Sequence, residues 1–313
     1  MSKLIVLAVG GNSLIRDPKN VTVSDQYDAC VETSKHIATL IKEGHRLVVT
    51  HGNGPQVGFI LRRSEIASKE LHEVPLDSCG ADSQGAIGYN MQMALGNELR
   101  KLGVNKTVAT VITQTVVDKN DPSFSHPSKP IGSFMDEELA TKHKEKDGWA
   151  IVEDAGRGLR RVVASPKPIE IVEFDAIKTL LDNDVIVIAV GGGGIPVLKD
   201  ENGNLIGSEA VIDKDLASSL LAQKLNADLF IISTAVDKVY LNYNKAEQKA
   251  LDTITVEEAK TYIKEGHFAP GSMLPKVNSL LEFVENTGNE ALITDPSNLD
   301  KAIKGETGTK FIP

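Results

Sequence analysis

The sequence holds only two cysteines, Cys30 and Cys79, among 313 residues. Two thiols cannot build a disulfide framework or a four-ligand zinc site, so a staple-bound secreted fold is excluded. Aromatic residues make up 4% of the chain, too few for a platform that stacks single-stranded bases. Positive charge is the scarcer sign: 34 Lys and Arg stand against 43 Asp and Glu, a net charge of −9. A broad nucleic-acid surface needs clustered basic residues, so no nucleic-acid partner is expected. Long apolar runs are missing as well. Leu4–Val9 and Val185–Val190 reach six residues each, against the roughly 20 of a membrane helix, so no membrane partner is expected. One lysine precedes the first run, which is too short for a secretory core. The expected setting is the reducing cytoplasm.

Several fingerprints are absent too. No GxxxxGKS/T occurs, and GxGxxG fails because Pro196 follows Gly191 and Gly193, and Val57 follows Gly52 and Gly54. That disfavours P-loop enzymes and the usual nicotinamide dehydrogenases. HExxH, CxxC and GxSxG are missing, and with them the zinc peptidase, thiol redox and α/β-hydrolase readings.

What remains is 41% apolar content, enough for a sizeable core in one large α/β domain or two lobes. Strands are expected at Leu4–Val9, Arg46–Thr50, Thr107–Thr113, Val185–Val190, Asp228–Ile232 and Ala291–Thr294. Helices are expected at Asp25–Glu43, Pro55–Ser68, Asp82–Leu102, Phe174–Leu181, Leu216–Leu225, Val256–Glu265, Val277–Glu285 and Asn298–Lys304. In the long third helix Ile87, Met91, Leu95 and Leu99 recur every fourth residue. The alternation predicts an α/β fold with a mainly parallel sheet covered on both faces. Asp118–Pro168 breaks the pattern with five prolines and many charges. A structureless loop of that length is unusual, so it reads as a small inserted subdomain with few contacts to the main core.

Three glycine-rich turns follow predicted strands: Gly10–Ser13, His51–Pro55 and Gly191–Pro196. Ligands of open α/β sheets bind at the carboxyl ends of strands. Glycine lets the backbone approach a ligand closely and aim N–H groups at an anion, and a following helix adds positive charge at its amino terminus. Any one loop could be only a tight turn. Three at one sheet edge suggest a phosphate site.

Two lysines sit where a helix disfavours them. Asp213 is a good N-cap, which puts Lys214 and Asp215 in the first turn of the next helix. Lys276 follows Pro275, a residue suited to the first helical position. A cation there opposes the helix dipole by about 0.3–1 kcal/mol. A single lysine is ordinarily solvated, but two such placements make sense around an anion. Asp215 beside Lys214 could hold the ammonium or help place a metal–nucleotide. His51, inside the second loop, is expected to have a structural or hydrogen-bonding role, because transfer to an ionised acceptor needs no base.

The segments VGGNSL (9–14), THGNGPQVG (50–58), KPIGSF (129–134), ASPKP (164–168), GGGGIPV (191–197), EAVIDKDLAS (209–218), AVDKVYLNY (235–243), GHFAPGSMLPKV (266–277) and GTKF (308–311) resemble, in order, the motif set of carbamate kinases, within the amino acid kinase superfamily. The resemblance spans nearly the whole chain, and KPIG and GHFAPGSM are specific to carbamate kinases. It implies a three-layer α/β/α sandwich, with a carbamoyl phosphate lobe over about residues 1–190 and a nucleotide lobe over about 191–313. The inserted subdomain becomes a lid over about 118–168. The implied assembly is a homodimer, and the implied reaction is Mg²⁺-dependent transfer between carbamoyl phosphate and ADP, giving carbamate and ATP. By the same resemblance Gly10, Gly11, Asn12, Gly52, Asn53 and Gly54 hold the carbamoyl phosphate side. Lys129 comes from the lid, and Lys214, Asp215 and Lys276 surround the transferred group. Ala235, Asp237, Tyr240 and Met273, with Lys214 and Lys276, line the nucleotide site, and no protein side chain ligates the metal. The chain departs from the family's usual aspartate at Ala235, alanine at Ser13, proline-phenylalanine-tyrosine at Ser133-Phe134-Met135, and glycine at Leu274. A bulky Leu274 next to Lys276 could narrow the path to the phosphates. The rival readings are another acyl phosphate-forming or nucleoside monophosphate kinase of the same fold, and a non-catalytic nucleotide sensor.

Overall fold

A run of apolar, partly β-branched residues forms a buried strand only when both its faces are covered. The computed structural model, which describes residues 2–11, 14–15, 21–153 and 158–313, is organised around such runs. The first part of the chain forms β1 (Leu4–Val9), α1 (Val23–Lys42), β2 (Arg46–His51), α2 (Gly54–Ala67), α3 (Leu76–Lys101), β3 (Val108–Thr110) and β4 (Gln114–Val117). Next come β5 (Lys129–Met135), α4 (Glu137–Asp147), β6 (Ile151–Glu153), β7 (Leu159–Val163), β8 (Pro168–Ile171), α5 (Phe174–Asp182) and β9 (Ile186–Ile188). The remainder is β10 (Ile195–Lys199), β11 (Leu205–Gly207), α6 (Lys214–Lys224), β12 (Leu229–Ser233), β13 (Val239–Leu241), β14 (Lys249–Leu251), β15 (Thr253–Thr255), α7 (Val256–Lys264), α8 (Met273–Thr287), β16 (Glu290–Thr294), α9 (Leu299–Ile303) and β17 (Thr309–Ile312).

The main sheet has the order β15-β17-β16-β12-β1-β2-β9-β3. β1 pairs in parallel with β12, Ile5 facing Leu229, and with β2, Leu4 facing Arg46. Only β15 and β17 run against the other strands. Side chains alternate across β1 as a strand requires. Ile5, Leu7 and Val9 enter one core with Ile37 and Leu40 of α1 and Met91 and Leu95 of α3. Val6 and Ala8 enter the other with Leu221 of α6 and Phe283 of α8. Helices therefore cover both faces, as the alternation predicts, and the fold is the three-layer α/β/α sandwich that the family resemblance implies. β1, β2 and β12 end at the same edge.

The structure corrects several boundaries. The strand expected over Thr107–Thr113 shortens to β3, Val108–Thr110, and the unexpected β4 begins at Gln114 in a smaller sheet of order β11-β10-β4-β8. The break is set by Gln84 of α3, which accepts a hydrogen bond from the Thr113 N–H at 2.8 Å and donates to its carbonyl at 3.0 Å. α3 starts six residues earlier than its period suggests, directly after Pro75. α8 starts at Met273, so Pro275 is its third residue and Lys276 its fourth. Proline is tolerated there because the first four N–H groups of a helix have no intrahelical partner.

Within 118–168, β5, β7 and β6 form an antiparallel sheet with α4 beside it. Its contact with the rest of the molecule is larger than its charged sequence suggests. Ile131 and Val163 are buried with Val57 and Leu61 of α2 and Leu76 and Cys79 of α3. Gly58 of α2 meets Gly132 of β5 so closely that a Cβ on Gly58 would lie 3.2 Å from the Gly132 Cα. Toward the second half of the chain the inserted subdomain makes ion pairs, Lys129–Asp213 at 2.8 Å, Lys167–Glu282 at 2.9 Å and Arg161–Glu209 at 3.7 Å, and the Val211 N–H donates to the Ala164 carbonyl at 3.0 Å.

Candidate active site

The site is built at the shared strand edge. Gly10 follows β1 and donates its N–H to the Ser233 carbonyl at the end of β12 (3.0 Å), while Gly52 follows β2 and donates to the Val9 carbonyl (3.0 Å). These bonds draw the first two glycine loops together. A Cβ on Gly52 would lie 3.1 Å from the Gly11 nitrogen, so a larger residue there would push the two loops apart by a few tenths of an ångström. Gly10, Gly11, Gly52, Asn53 and Gly54 line one cavity of about 670 Å³. Asn12 and Ser13 lie outside the described residues.

The third loop does something different. Gly192, Gly193 and Gly194 all have positive φ, at 66°, 95° and 89°, and the turn is buried. A Cβ on Gly191 would collide with His51, on Gly192 with Asn53, on Gly193 with the Ile212 carbonyl, and on Gly194 with Thr115. Only Gly192 reaches the cavity lining, so this loop chiefly packs the others into place.

Two helices open onto the cavity without side-chain caps. Asn53 precedes α2 but donates its side chain to the Ser83 hydroxyl (2.9 Å) instead of capping. Ser272 precedes α8 and does not cap either. In α8 the Leu274 N–H is taken by the Ala269 carbonyl (3.1 Å) and Pro275 has none, and Pro55 of α2 has none, so both termini chiefly present the positive end of the helix dipole to the cavity. α6 is capped by Asp213, whose Oδ1 accepts from the Asp215 N–H at 2.9 Å.

Charged side chains fill the space between. Asp215 is only 4% exposed and binds Lys214 Nζ with one carboxylate oxygen (2.5 Å) and Lys276 Nζ with the other (2.8 Å). Burial alone would raise its carboxyl, but the two ammonium groups overrule that and hold it well below the carboxylate range. Burial pushes Lys214 below the ordinary lysine value against the pull of Asp215, and Lys276 adds to the fall. Lys129 reaches in from β5 and donates to Asp213 Oδ2 at 2.8 Å. Arg160 of β7 lines the same cavity, with its guanidinium 5.2 Å from the centre of the Phe134 ring. Around this space four cations face two carboxylates, which suits a strongly anionic occupant.

On the opposite wall Ala235, Tyr240 and Met273 line the cavity. Asp237 does not; it lies in an adjoining depression of about 480 Å³ with Asn244, Gln248 and Asp295. There it accepts the Tyr240 hydroxyl at 2.8 Å, which raises that phenol above its usual value. Leu274, whose bulk could narrow the path to the phosphates, packs from α8 against the core. His51 is buried away from the cavity, its Nδ1 3.0 Å from the Gly52 carbonyl. Burial pushes its imidazole down to about 4, so the ring is neutral at ordinary pH. Sequence reasoning missed Arg160 and the second oxygen of Asp213, while Tyr243, which closes the 235–243 motif segment, lines the cavity. Residue 129 meets residue 213 only through the fold.

The sequence and the fold can be compared with known proteins. The model of the amino acid kinase family matches residues 3–295. The carbamate kinase of Clostridium perfringens is 51% identical over 312 residues, spanning 98% of this chain and 99% of that protein. A carbamate kinase-like protein of Escherichia coli K12, YahI, is 48% identical over 315 residues, 100% and 99% of the two chains. Among solved structures, carbamate kinase from Giardia lamblia bound to AMP-PNP superimposes with a TM-score of 0.94 at 42% identity, covering 99% of this chain and 98% of that one.

Proposed function

The chain belongs to the amino acid kinase family, and from that membership we propose that it is a carbamate kinase, transferring a phosphoryl group between carbamoyl phosphate and ADP to give carbamate and ATP. The observation that carries the reading is the Lys214–Asp215–Lys276 cluster, set where two glycine loops and two uncapped helix ends meet. Phosphoryl transfer asks little covalent chemistry of a protein; alignment and neutralisation of charge do most of the work. The N–H groups of the loops and of the α2 terminus take the carbamoyl phosphate oxygens. Lys214 and Lys276 stabilise charge that builds on the transferring group and its bridging oxygens. Asp215 fixes both ammonium groups so that they need not reorganise during the reaction.

Mg²⁺ enters with the nucleotide. Both oxygens of Asp215 and both of Asp213 are already engaged by lysines or a backbone N–H, and among the described residues no group of three or more candidate ligands gathers. That donor set fits an ion carried by phosphate oxygens, the usual mode for this cation. When bound it neutralises charge on the nucleotide phosphates.

The nucleotide lobe, about residues 191–313, supplies Ala235, Tyr240 and Met273 for ADP, and Asp237 acts by steadying the Tyr240 hydroxyl. The lobe of about residues 1–190 supplies the carbamoyl phosphate loops. The insertion of about 118–168 acts as a lid that brings Lys129 over the substrate. Its apolar seat on α2 and its ionic contacts on the far side support closure in which it stays attached to the first lobe. The enzyme works as a cytoplasmic homodimer. No helix among the described residues is long and apolar enough to cross a membrane, and the exposed Tyr89, Ile112, Leu205 and Ile206 offer apolar surface to a second copy.

The test is ATP formation from Mg-ADP and carbamoyl phosphate, run beside acetyl phosphate and other acyl phosphates, with and without EDTA. ATP from carbamoyl phosphate alone, abolished by EDTA, is expected. Preference for another acyl phosphate would make the chain a different acyl phosphate kinase. Folded protein that binds ADP and makes no ATP from any donor would be a nucleotide sensor.

A further inference from the structure

We propose that Asp213 is a positioning residue that ties the insertion to α6, the helix that opens with Lys214 and Asp215, an inference that rests on the kinase reading above. Its two carboxylate oxygens serve different elements. Oδ1 accepts the Asp215 N–H at 2.9 Å and caps α6, while Oδ2 accepts Lys129 Nζ at 2.8 Å from β5, 84 residues away. Capping by itself does not call for an acid. Serine, threonine and asparagine cap about as well with one oxygen. The feature that needs a carboxylate is the ammonium of Lys129.

The placement gives that contact leverage. Asp213 directly precedes Lys214 and Asp215, so its side chain sits at the root of the charge cluster. The side chains of Lys129 and Asp213 are 35% and 20% exposed: covered enough for a directed bond, yet open enough for an incoming anion to compete for the lysine. Asp213 therefore holds Lys129 at the cavity wall before substrate arrives and sets where the insertion rests. The phosphate of the substrate then takes over the ammonium with little search.

Asparagine and serine separate the two duties, because each keeps the cap and loses the ion pair. Asp213→Asn and Asp213→Ser are each made in the native chain and in Lys129→Ala. The readouts are kcat and KM for both substrates, the Tm, and amide exchange over residues 129–135. Each single variant is expected to lower kcat/KM for carbamoyl phosphate about tenfold, a typical coupling for charged neighbours. The KM for ADP and the Tm should hold, and exchange in β5 should rise severalfold. In the Lys129→Ala background the same substitutions should change kcat/KM by less than about twofold, since the coupled partner is already gone. Multiplicative losses in both backgrounds, or unchanged exchange in β5, would overturn the proposal. Because exchange needs no turnover, an inactive wild-type chain would defeat the kinase reading and still leave the tie between β5 and α6 open to measurement.

Discussion

Asp215→Asn and Lys276→Met should cost very different amounts of stability, although both remove one charge from the same cluster. Lys214, Asp215 and Lys276 together carry a net charge of +1. Lys276→Met leaves the Lys214–Asp215 pair at 2.5 Å, neutral as a unit, and methionine preserves most of the buried stem. Asp215→Asn leaves two ammonium groups crowded together, each having lost its only ionic partner in the trio. Removing one partner of a buried pair costs about 3–5 kcal/mol when the remaining charge is uncompensated. The lysine side chains are 12% and 19% exposed, so some water reaches them and the lower end, about 3 kcal/mol, applies. At about 2 °C per kcal/mol for a chain of this size, Tm falls by about 6 °C for Asp215→Asn and by less than about 2 °C for Lys276→Met. Turnover drops in both by about a hundredfold or more, since each disturbs charge stabilisation at the transferring group. Scanning calorimetry and a coupled ATP assay read both quantities. Millimolar inorganic phosphate supplies a sharper check. It should stabilise Asp215→Asn more than wild type, because an anion can stand in for the lost carboxylate. Equal Tm values for the two variants, or no extra rescue by phosphate, would refute the view of the cluster as one electrostatic unit.

Lys214→Ala should lower kcat by about a hundredfold or more, with Tm level or slightly higher because its cation opposes the α6 dipole; heavy destabilisation with turnover retained would make it a structural lysine. Lys214 is held below the ordinary lysine value, so wild-type kcat should show an alkaline limb below about pH 10.4, which a pH–rate profile reads. His51 bears on stability in acid: its folded value is lowered to about 4, so its contribution is complete above the unfolded value of about 6.5 and is lost as pH falls toward 4. The loss amounts to roughly 3 kcal/mol, and His51→Gln should flatten the Tm slope across that window; an unaltered slope counts against this assignment. Cys30 and Cys79 are 2% and 0% exposed, with thiols pushed up to about 12 and about 11 by burial. Iodoacetamide should therefore leave the native enzyme active and label both only after denaturation, and rapid native labelling would contradict that.

The parts of the fold that read clearly in the sequence are those governed by local pattern. β1 matches its apolar run residue for residue, and β2, β12 and β16 lie within one residue of expectation. Each is a short run buried on both faces, so burial and β-propensity agree. The smaller sheet was hidden because β4 is separated from β3 by a turn that a glutamine of α3 imposes, and no local signal marks a side chain arriving from 29 residues away. Lys214 and Lys276 were legible since a cation in a first helical turn is a local anomaly. Arg160 gave no such signal. It sits on a short strand of alternating character, and only the folding of β7 over the first lobe brings it to the cavity.

The four-glycine turn limits how this chain can drift. Its neighbours come from four separate segments: His51 at the end of β2 with Asn53 just after it, Gln84 of α3, Thr115 in β4, and Ile212 ahead of α6. Room made by shrinking one neighbour relieves one position and leaves the other three closed. The positive φ at Gly192, Gly193 and Gly194 adds a backbone penalty that no change in a neighbour removes. A side chain could enter only after several coordinated substitutions, most of them harmful when taken singly. Homologues of this fold can exchange surfaces, lids and loop lengths one mutation at a time, while this turn behaves as a fixed point around which such variation is organised.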